Sequence, residues 1–316
     1  MTRINYSSKG IIIEDLNFIS FDPVKKPITE VIFVSHPHSD HHPKAIKRNL
    51  KLISSHSTHK ILKYKLKTIF QYKEKLETET WVLKQIPSGH MFGSTSLIIK
   101  NKENGLKILY TGDVNNKSRF GLEGINPPKI DAIIIEATYG HPKYVFPDPE
   151  RIISEAYDQI QDISSKKIVF IHSYALGKAQ TIMASPLNKL IEGIGPQIKV
   201  YNKLFSPKDV VLNNEIKAIK EPKKPGVYLV SKLPKKRPKN SVIFFFTGWA
   251  LSTLNSYYAY PLSDHSDFLG LLEIIKNSGA KKVYTVFGYS NEFASYLRGV
   301  GIEAVAIDSN QAMLDF

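Results

Sequence analysis

A run of metal-binding side chains, SHPHSDHH, occupies residues 35–42 directly after the apolar run VIFV. Because α/β proteins gather their ligands in the loops where buried strands end, this run is predicted to lie in such a loop. His36 and His38 are two residues apart and can converge on one ion if the backbone is extended there. Asp40 and His41 can then face a second ion, and His42 is left outside the ligand set.

Three more polar residues stand where an apolar run meets a turn: His90 in PSGHMFGST, Asp113 in LYTGD and His265 in PLSDHSDF. Each has an ordinary alternative, an incidental histidine or a common turn aspartate. The chain has no cysteine, so its metal donors must be imidazole and carboxylate, a set that suits Zn²⁺, with Mn²⁺ as the alternative. A pair of divalent ions can generate a nucleophile from water and neutralise charge at a phosphoryl centre.

Composition places the chain among globular proteins of one domain or two closely joined ones, with 316 residues and 42% hydrophobic content. The formal net charge of +14 attracts polyanions such as nucleic acid, or it simply keeps the surface soluble. No apolar run reaches the roughly 18 residues of a membrane span, and the start MTRINYSSKG lacks the apolar stretch of a signal peptide. We therefore expect a cytoplasmic protein that does not enter the membrane.

Apolar, β-rich runs predict strands at FISFD, VIFVS, SLIIK, KILYT, DAIIIEAT, KKIVFIHS, QIKVYN, SVIFFFT and KKVYTVF. Helical periodicity appears at PERIISEAYDQIQ, SDFLGLLEIIKNSG and NEFASYLRGVG, and the last two end on glycine. This order indicates a layered α/β protein. Residues 213–240 are interpreted as loop and linker around a short strand, VYLV, and their lysines either line a nucleic-acid groove or form a solvated linker.

The motifs SHPHSDHH, GHMFGS, TGD and SDHSD resemble, in that order, the metal motifs of the metallo-β-lactamase superfamily. The resemblance implies two divalent metal ions. His36, His38 and His90 would bind one ion, Asp40, His41 and His265 would bind the other, and Asp113 would bridge them. Asp22 in FISFDP corresponds to the first acidic motif, which orients the ligand loop without coordinating.

The later series IDAIIIEATYGHP, KIVFIHSYALGKAQTI, VIFFFTGWALS, SDHSDF and VYTVFGYSNEFASYLRGVGIEA resembles the β-CASP nucleases. More narrowly, it is similar to DNA ligase-associated exonucleases and mRNA 3′-end processing factor-like proteins, from Gly10 to Ala306. The resemblance implies a four-layer αββα metallo-β-lactamase domain from residues 1–150 and 251–316. A small α/β domain, the β-CASP insert, would occupy residues 151–250.

Several residues acquire roles through this resemblance. In SYALGKAQT, Ser173, Gly177 and Lys178 stand near a predicted helix N-terminus, where N–H groups and a lysine could receive a phosphate, although an ordinary helix start with a solvated lysine has the same pattern. Thr247 and Gly248 correspond to a second phosphate-facing turn. Glu136 in EATYG matches the acidic motif A, where a carboxylate could orient a ligand or relay a proton, the alternative being a surface glutamate.

The chain departs from its close relatives at Phe287-Gly288-Tyr289, where they carry His-Gly-Tyr. A general acid is typically worth about 100- to 10,000-fold in rate, so its absence predicts a slower enzyme unless a metal-bound water protonates the leaving group or Asp264, His141 or His172 substitutes.

The expected function is metal-dependent, exonucleolytic hydrolysis of single-stranded DNA or RNA in nucleic-acid processing or repair. Asp40, Asp113, Glu136 and His265 would serve the reaction itself, and repair or RNA-processing proteins are the expected partners. Two alternatives stay open. One is a hydrolase of a small thioester, lactone or phosphodiester, and the other is an inactive relative that binds nucleic acid.

Overall fold

The chain folds into two compact units. The structure, a computed structural model, describes residues 2–45, 50–68, 71–252, 258–307 and 312–314. The first unit consists of Met1–Lys117, Glu123–Lys143 and His265–Phe316, and the second of Ser118–Leu122 and Tyr144–Asp264. The second unit thus includes the segment 151–250 that was expected to be an insert, and it extends beyond that segment at both ends.

Two mixed sheets form the frame of the first unit. The first sheet contains, in spatial order, β19 (Ala312–Leu314), β1 (Thr2–Ser7), β2 (Gly10–Ile13), β3 (Ile19–Phe21), β4 (Val31–Phe33), β5 (Lys51–Ile53) and β6 (Gln71–Lys73). The second contains β18 (Glu303–Ala306), β17 (Lys282–Val286), β11 (Ala132–Glu136), β10 (Lys107–Tyr110), β9 (Thr95–Asn101), β8 (Trp81–Pro87) and β7 (Lys75–Glu77). Strands β3 to β6 run parallel, as do β10, β11, β17 and β18.

The described residues form α-helices at α1 (His56–Leu66), α2 (Pro149–Ser164), α3 (Lys178–Ala184), α4 (Pro196–Asn202), α5 (Phe268–Ser278) and α6 (Ser290–Gly299). Short 3₁₀ turns lie at Glu14–Leu16, Pro186–Lys189 and Gly248–Leu251. Helix α5 begins where the Asp267 side chain accepts a hydrogen bond from the Gly270 N–H, and it ends at Gly279 in the left-handed region, as the sequence predicted. Among the residues that the structure describes, no helix has the length and apolarity needed to cross a membrane.

The first unit has the predicted four-layer αββα arrangement. Phe33 of β4 faces a core that it shares with Tyr110 of β10 between the two sheets, whereas its neighbour Ile32 points to the other face and packs with Leu62 of α1. This alternation follows from the pleat of a strand. On the far side of the second sheet, strand and helix side chains form a third cluster that includes Ile133, Ile135, Leu271 and Phe293. The layers therefore run from α1 through both sheets to α5 and α6.

A parallel sheet forms the frame of the second unit, in the order β13 (Ile191–Ile194), β14 (Gly226–Val230), β12 (Ile168–His172), β15 (Ser241–Phe246) and β16 (Tyr258–Tyr260). One face carries Val169, Leu229 and Phe244, which pack against Ile153 of α2 and Ile182 of α3. The other face carries Phe170 and Tyr228 in a separate cluster. The unit is a small α/β domain, as the resemblance implied.

The prediction of a strand at QIKVYN was wrong, because these residues lie in helix α4. Pro196 occupies the first helical turn, where its missing N–H costs nothing, and Ile198, Tyr201 and Asn202 are buried at helical spacing. A short apolar run does not distinguish a strand from a buried helix. The neighbouring segment 213–240 contains β14, the predicted VYLV strand, which is buried and lies between β13 and β12.

The polar motifs of the first unit follow its parallel strands. Asp22 follows β3, the loop of residues 34–42 follows β4, Asp113 follows β10 and Glu136 ends β11. Gly112 lies at the point where this loop approaches the turn after β10. It adopts φ +57°, and an added Cβ would lie 2.5 Å from the Ser35 Cβ and 2.7 Å from its Oγ. The Ser35 hydroxyl is held by the Asp22 carboxylate at 2.6 Å, so it cannot swing away without losing that bond.

We expect Gly112→Ala to lower the free energy of unfolding by about 2–5 kcal/mol, since left-handed strain and a steric collision add together. Gly105→Ala is the matched control, because Gly105 also has positive φ, +76°, but an added Cβ meets nothing within 4 Å. The control should lose only about 1–2 kcal/mol. Urea denaturation of both variants checks this, and equal losses would show that Gly112 is not a point of close packing.

Candidate metal centre

Four donor atoms converge in the first unit to form what we term the first donor group: His36, His38, His90 and Asp113. The His38 Nδ1 lies 2.9 Å from the His36 Nε2 and 3.3 Å from the His90 Nε2. The Asp113 Oδ2 lies 3.3 Å from the His36 Nε2 and 3.7 Å from the His90 Nε2. Donors on a tetrahedral zinc ion at about 2.0–2.1 Å are separated by about 3.3 Å, so these residues fit one ion.

A second donor group consists of Asp113, Glu136 and His265. The His265 Nε2 lies 3.9 Å from the Asp113 Oδ2. The other oxygen of Asp113, Oδ1, lies 3.3 Å from the His41 Nε2. The Asp113 carboxylate is thus common to both groups, and these buried His and Asp clusters can hold metal ions.

Asp40 lies apart from these donors. Its side chain is exposed, and neither donor group of the described residues includes it. Burial lowers the pKa of Lys65, and the negative charge of Asp40 partly opposes that shift, so Asp40 interacts with this lysine. The role of Asp40 as a ligand and catalytic residue stays a prediction.

The Asp22 carboxylate is hydrogen-bonded to the loop of residues 34–42. Its Oδ1 accepts a hydrogen bond from the Ser35 N–H at 2.7 Å, and its Oδ2 accepts from the Ser35 hydroxyl at 2.6 Å and the Tyr110 hydroxyl at 2.7 Å. The same Oδ2 lies 2.9 Å from the His41 Nδ1. Because Nδ1 is engaged by Asp22, the His41 Nε2 is directed at Asp113. Ser35 and Tyr110 were missed by the sequence reasoning, and their only signal was position: Ser35 precedes His36, and Tyr110 precedes the TGD turn.

Glu136 orients His265 in the same manner. Its carboxylate is 1% exposed. The Oε1 accepts from the Val114 N–H at 3.0 Å and lies 2.7 Å from the His265 Nδ1, while the Oε2 accepts from the Thr138 N–H at 3.0 Å. These bonds satisfy a buried carboxylate and leave the His265 Nε2 facing Asp113.

The electrostatics of the cluster favour the protonation states that a metal requires at His36 and Asp113, but they oppose the required state at His41. Burial and the neighbouring His41 hold the pKa of His36 well below its usual range, so its imidazole is neutral. Burial alone would raise the pKa of Asp113, but His41, His265 and His36 outweigh it and hold that pKa well below normal. For His41, burial is outweighed by Asp113 and Asp22, which raise its pKa. A proton and a metal ion therefore compete for the His41 lone pair that faces Asp113.

Neither donor group of the described residues includes His42. Its Nδ1 bonds to the Pro43 carbonyl at 3.0 Å, and its Nε2 lies 2.8 Å from the Lys65 ammonium. Burial, followed by the charge of Lys65, lowers the pKa of His42 to about 4. The neutral ring therefore accepts a hydrogen bond from Lys65, which also donates to the Pro37 carbonyl at 2.8 Å and ties helix α1 to the ligand loop.

Phe287 places an apolar ring beside His41 of the ligand loop. Its ring centroid lies 5.6 Å from that of His41 and 5.5 Å from that of Tyr6, both edge-to-face. Its φ of +62° is in the left-handed region. At this position the chain has no side chain able to donate a proton. Among the suggested substitutes, the His141 ring packs against Tyr289 at 5.5 Å, and its Nδ1 accepts from the Lys143 N–H.

The predicted nucleic-acid contacts all lie in the second unit. Lys178 is buried, and its ammonium donates to the Leu262 carbonyl at 2.8 Å and to the Asp264 carboxylate at 2.9 Å. Arg119 reaches the same carboxylate at 3.4 Å. Lys178 is therefore an internal ion-pair partner, not the solvated lysine of the alternative interpretation, and Asp264 is held between two cations.

The backbone groups of these turns are also engaged. The Gly177 N–H donates to the Gln180 Oε1 at 2.7 Å, and the Thr247 side chain caps the Gly248–Leu251 turn. Ser173, at the end of β12, donates its N–H to the Val230 carbonyl at 3.1 Å. His172 is partly buried beside Phe245, with a ring-centroid separation of 5.4 Å. Phosphate contacts by Ser173, Gly177, Lys178, Thr247 and Gly248 stay predictions.

The bonds of Glu136 predict how metal binding depends on it. If a metal binds at His265, we expect Glu136→Gln to weaken its binding by about 10- to 100-fold, because an amide NH₂ cannot accept from a backbone N–H. Isothermal titration of the metal-free protein with Zn²⁺ measures the change. Glu123→Gln, on an exposed side chain, is the control and should bind as the wild type does. Unchanged affinity in Glu136→Gln, with the fold intact, would contradict an orienting role.

Comparison with known proteins extends the similarity beyond these motifs. No protein-family model matches the chain. A probable DNA ligase of Opitutus terrae is 28% identical over 311 residues, which cover 89% of this chain and 29% of that protein. An RNase J-like protein of Methanocaldococcus jannaschii is 33% identical over 133 residues, covering 41% of this chain and 31% of the relative. The DNA cross-link repair 1A protein of Mus musculus is 26% identical over 162 residues, 48% of this chain and 16% of that protein.

The chain therefore spans less than a third of the length of these curated relatives. Among solved structures, a protein of unknown function from Enterococcus faecalis V583 superimposes with a TM-score of 0.61 at 15% identity, covering 90% of this chain and 81% of that one. That likeness supports the fold alone. The RNase J-like and DNA cross-link repair relatives are β-CASP proteins of the metallo-β-lactamase superfamily, and they confirm the resemblance of this chain to that branch.

Proposed function

We propose that the chain is a metal-dependent nuclease that hydrolyses phosphodiester bonds in single-stranded DNA or RNA, proceeding from a strand end. The observation that carries the proposal is the convergence of three buried imidazoles and one partly buried imidazole on the Asp113 carboxylate. A donor set of this kind suits metal-assisted hydrolysis. The names of the relatives refer to an RNase J-like protein, a DNA repair protein and a DNA ligase, which supports nucleic acid as the substrate.

Two divalent ions, Zn²⁺ with Mn²⁺ as the alternative, would be held by these residues. The first donor group would hold one ion, and His41, His265 and Asp113, with Asp40, would hold the other. When bound, such ions act as Lewis acids, activate water and neutralise charge at phosphorus. Asp22 and Glu136 would keep the imidazoles of His41 and His265 in the tautomer whose Nε2 is free to coordinate.

The reaction consumes one water per bond cleaved. The water oxygen forms a new bond to phosphorus, the bond from phosphorus to the leaving sugar oxygen breaks, and that oxygen takes up a proton. Because Phe287 stands where the resemblance implies a histidine, water would have to supply that proton, and we expect a modest turnover rate. The nucleic-acid processing role, and any repair or RNA-processing partner, follow from the relatives and belong to the same proposal.

An assay with end-labelled strands tests the function. The purified chain, supplied with Zn²⁺ or Mn²⁺, is expected to shorten single-stranded DNA or RNA, and EDTA should abolish the activity. Asp113→Ala should reduce cleavage by about 100-fold or more, because the carboxylate common to both donor groups is removed. Asp158→Ala, an exposed carboxylate on α2, makes the same charge change and should leave cleavage unaltered.

The assay also separates the alternatives. The same preparations are offered a generic thioester and a lactone. Hydrolysis of these small substrates without any shortening of the strands would reject the nuclease in favour of a small-molecule hydrolase. Tight strand binding that never leads to cleavage with either metal would instead identify a binding protein.

A further inference from the structure

Two aromatic side chains follow neighbouring strands at one edge of the parallel sheet in the second unit. Strands β12 and β15 are hydrogen-bonded in parallel, with His172 opposite Phe245, so their carboxyl ends lie side by side. Tyr174 comes two residues after the end of β12, and Trp249 comes shortly after the end of β15. The carboxyl edge of an open parallel sheet is where α/β proteins bind their ligands.

Both rings are presented to solvent. Tyr174 is 81% exposed and Trp249 is 40% exposed. Singly exposed apolar residues are ordinary, but two large aromatic rings on adjacent strand ends leave a considerable apolar surface in contact with water. The cost of that exposure is recovered when a flat partner covers the rings.

The backbone beneath each ring is fixed. The Tyr174 carbonyl accepts a hydrogen bond from the Ala179 N–H at 3.3 Å, at the start of α3. Trp249 lies in the Gly248–Leu251 turn, and its ring contacts that of buried Tyr144 edge-to-face, with centroids 5.4 Å apart. A ring carried on a rigid backbone loses little conformational entropy when a partner stacks on it.

Positive charge lies at the same edge. Strand β14 pairs with β12 on the side opposite β15, with Val230 opposite His172. Exposed Lys232 follows β14 by two residues, just as Tyr174 follows β12. Further along the same connection, Lys235, Lys236 and Arg237 are exposed as well. Aromatic rings interspersed with cations are the combination that binds single-stranded nucleic acid, with bases on the rings and phosphates on the cations.

We infer that Tyr174 and Trp249 form a base-stacking surface for a single nucleic-acid strand, with Lys232 contacting its phosphates. The inference rests on the proposed nuclease function and adds the means by which the second unit selects single strands. In a duplex the faces of the bases are covered by their neighbours, so paired strands cannot stack on these rings. Base stacking tolerates any sequence, because every base has a flat aromatic face.

Binding of a fluorescein-labelled oligothymidylate, followed by anisotropy while a gel shows the strand to be intact, tests this surface. We expect Tyr174→Ala and Trp249→Ala each to weaken binding by about 5- to 150-fold. Tyr174→Phe and Trp249→Phe keep a ring and should bind nearly as the wild type does. Tyr64→Ala removes a half-exposed tyrosine from α1 in the first unit and is the matched control, expected to have no effect.

Tryptophan fluorescence gives a second, independent readout. The chain has two tryptophans, and Trp81 is only 7% exposed, so stacking on Trp249 should quench the exposed component of the emission. Trp249→Phe should abolish the quench while it retains binding. A strand of the same length with abasic residues keeps its phosphates but has no bases. It should bind the wild type weakly, without the quench, and should bind the alanine variants equally weakly.

A parallel assay with bis(p-nitrophenyl) phosphate, which has no bases, separates this inference from the proposed function. If the alanine variants hydrolyse it at the wild-type rate but bind strands poorly, the stacking surface is supported. If the wild type hydrolyses neither this ester nor strands, the nuclease proposal fails, while the binding and quenching data still decide the stacking surface. Binding of the alanine variants equal to that of Tyr64→Ala, or equal quenching by duplex and single strand, would overturn the inference. The exposed rings would then serve a protein partner.

Discussion

A carboxylate buried in protein must be surrounded by groups that compensate its charge. In this chain the buried carboxylate on which the site depends is Asp113. It is 6% exposed, and its two oxygens lie within 4 Å of ring nitrogens from four histidines: His36, His41, His90 and His265. Asp113 follows a strand of the second sheet, whereas His36 and His41 follow a strand of the first. The contact therefore forms only when the two sheets of the first unit stack with these strand ends on the same side.

Two further buried carboxylates support that arrangement. Asp22 engages the Nδ1 of His41 and Glu136 engages the Nδ1 of His265, so the remaining nitrogen of each ring faces Asp113. Each carboxylate is itself fixed by backbone N–H donors, from Ser35 for Asp22 and from Val114 and Thr138 for Glu136. The rings are thus held by the main chain of the strand ends, whose positions the sheets determine. A metal ion that bound here would meet donors already oriented, which would lower the entropy lost on coordination.

The sequence predicted the parts of this site that depend on local pattern. Hydrophobicity alone indicates where a buried strand ends in a polar motif. This pattern placed five residues at strand ends or in the loops that follow them: His36, His38, His90, Asp113 and His265. The ligand role of Asp40 stays a prediction, because the direction of a side chain in a loop depends on backbone dihedrals that a sequence pattern does not encode. The partner of Lys178 was equally hidden, since Asp264 lies 86 residues away along the chain. The strand prediction at residues 197–202 was wrong for a different reason. A short apolar segment fits both strand and helix periodicity, and packing in the folded protein decides between them.

The interrupted course of the first unit has a consequence for its biosynthesis. Strand β11 pairs with β17, yet the whole of Tyr144–Asp264 is translated between them. Glu136 and His265, the histidine that it orients, are 129 residues apart. At a translation rate of about 5–20 residues per second, His265 is synthesised on the order of ten seconds after Glu136. Throughout that interval the nascent sheet ends at β11, whose side chains are all buried in the finished protein, and it presents an apolar, hydrogen-bonding edge. The second unit is therefore synthesised before the sheet of the first unit can be completed. A chaperone that covers the exposed edge of β11 would act during this interval.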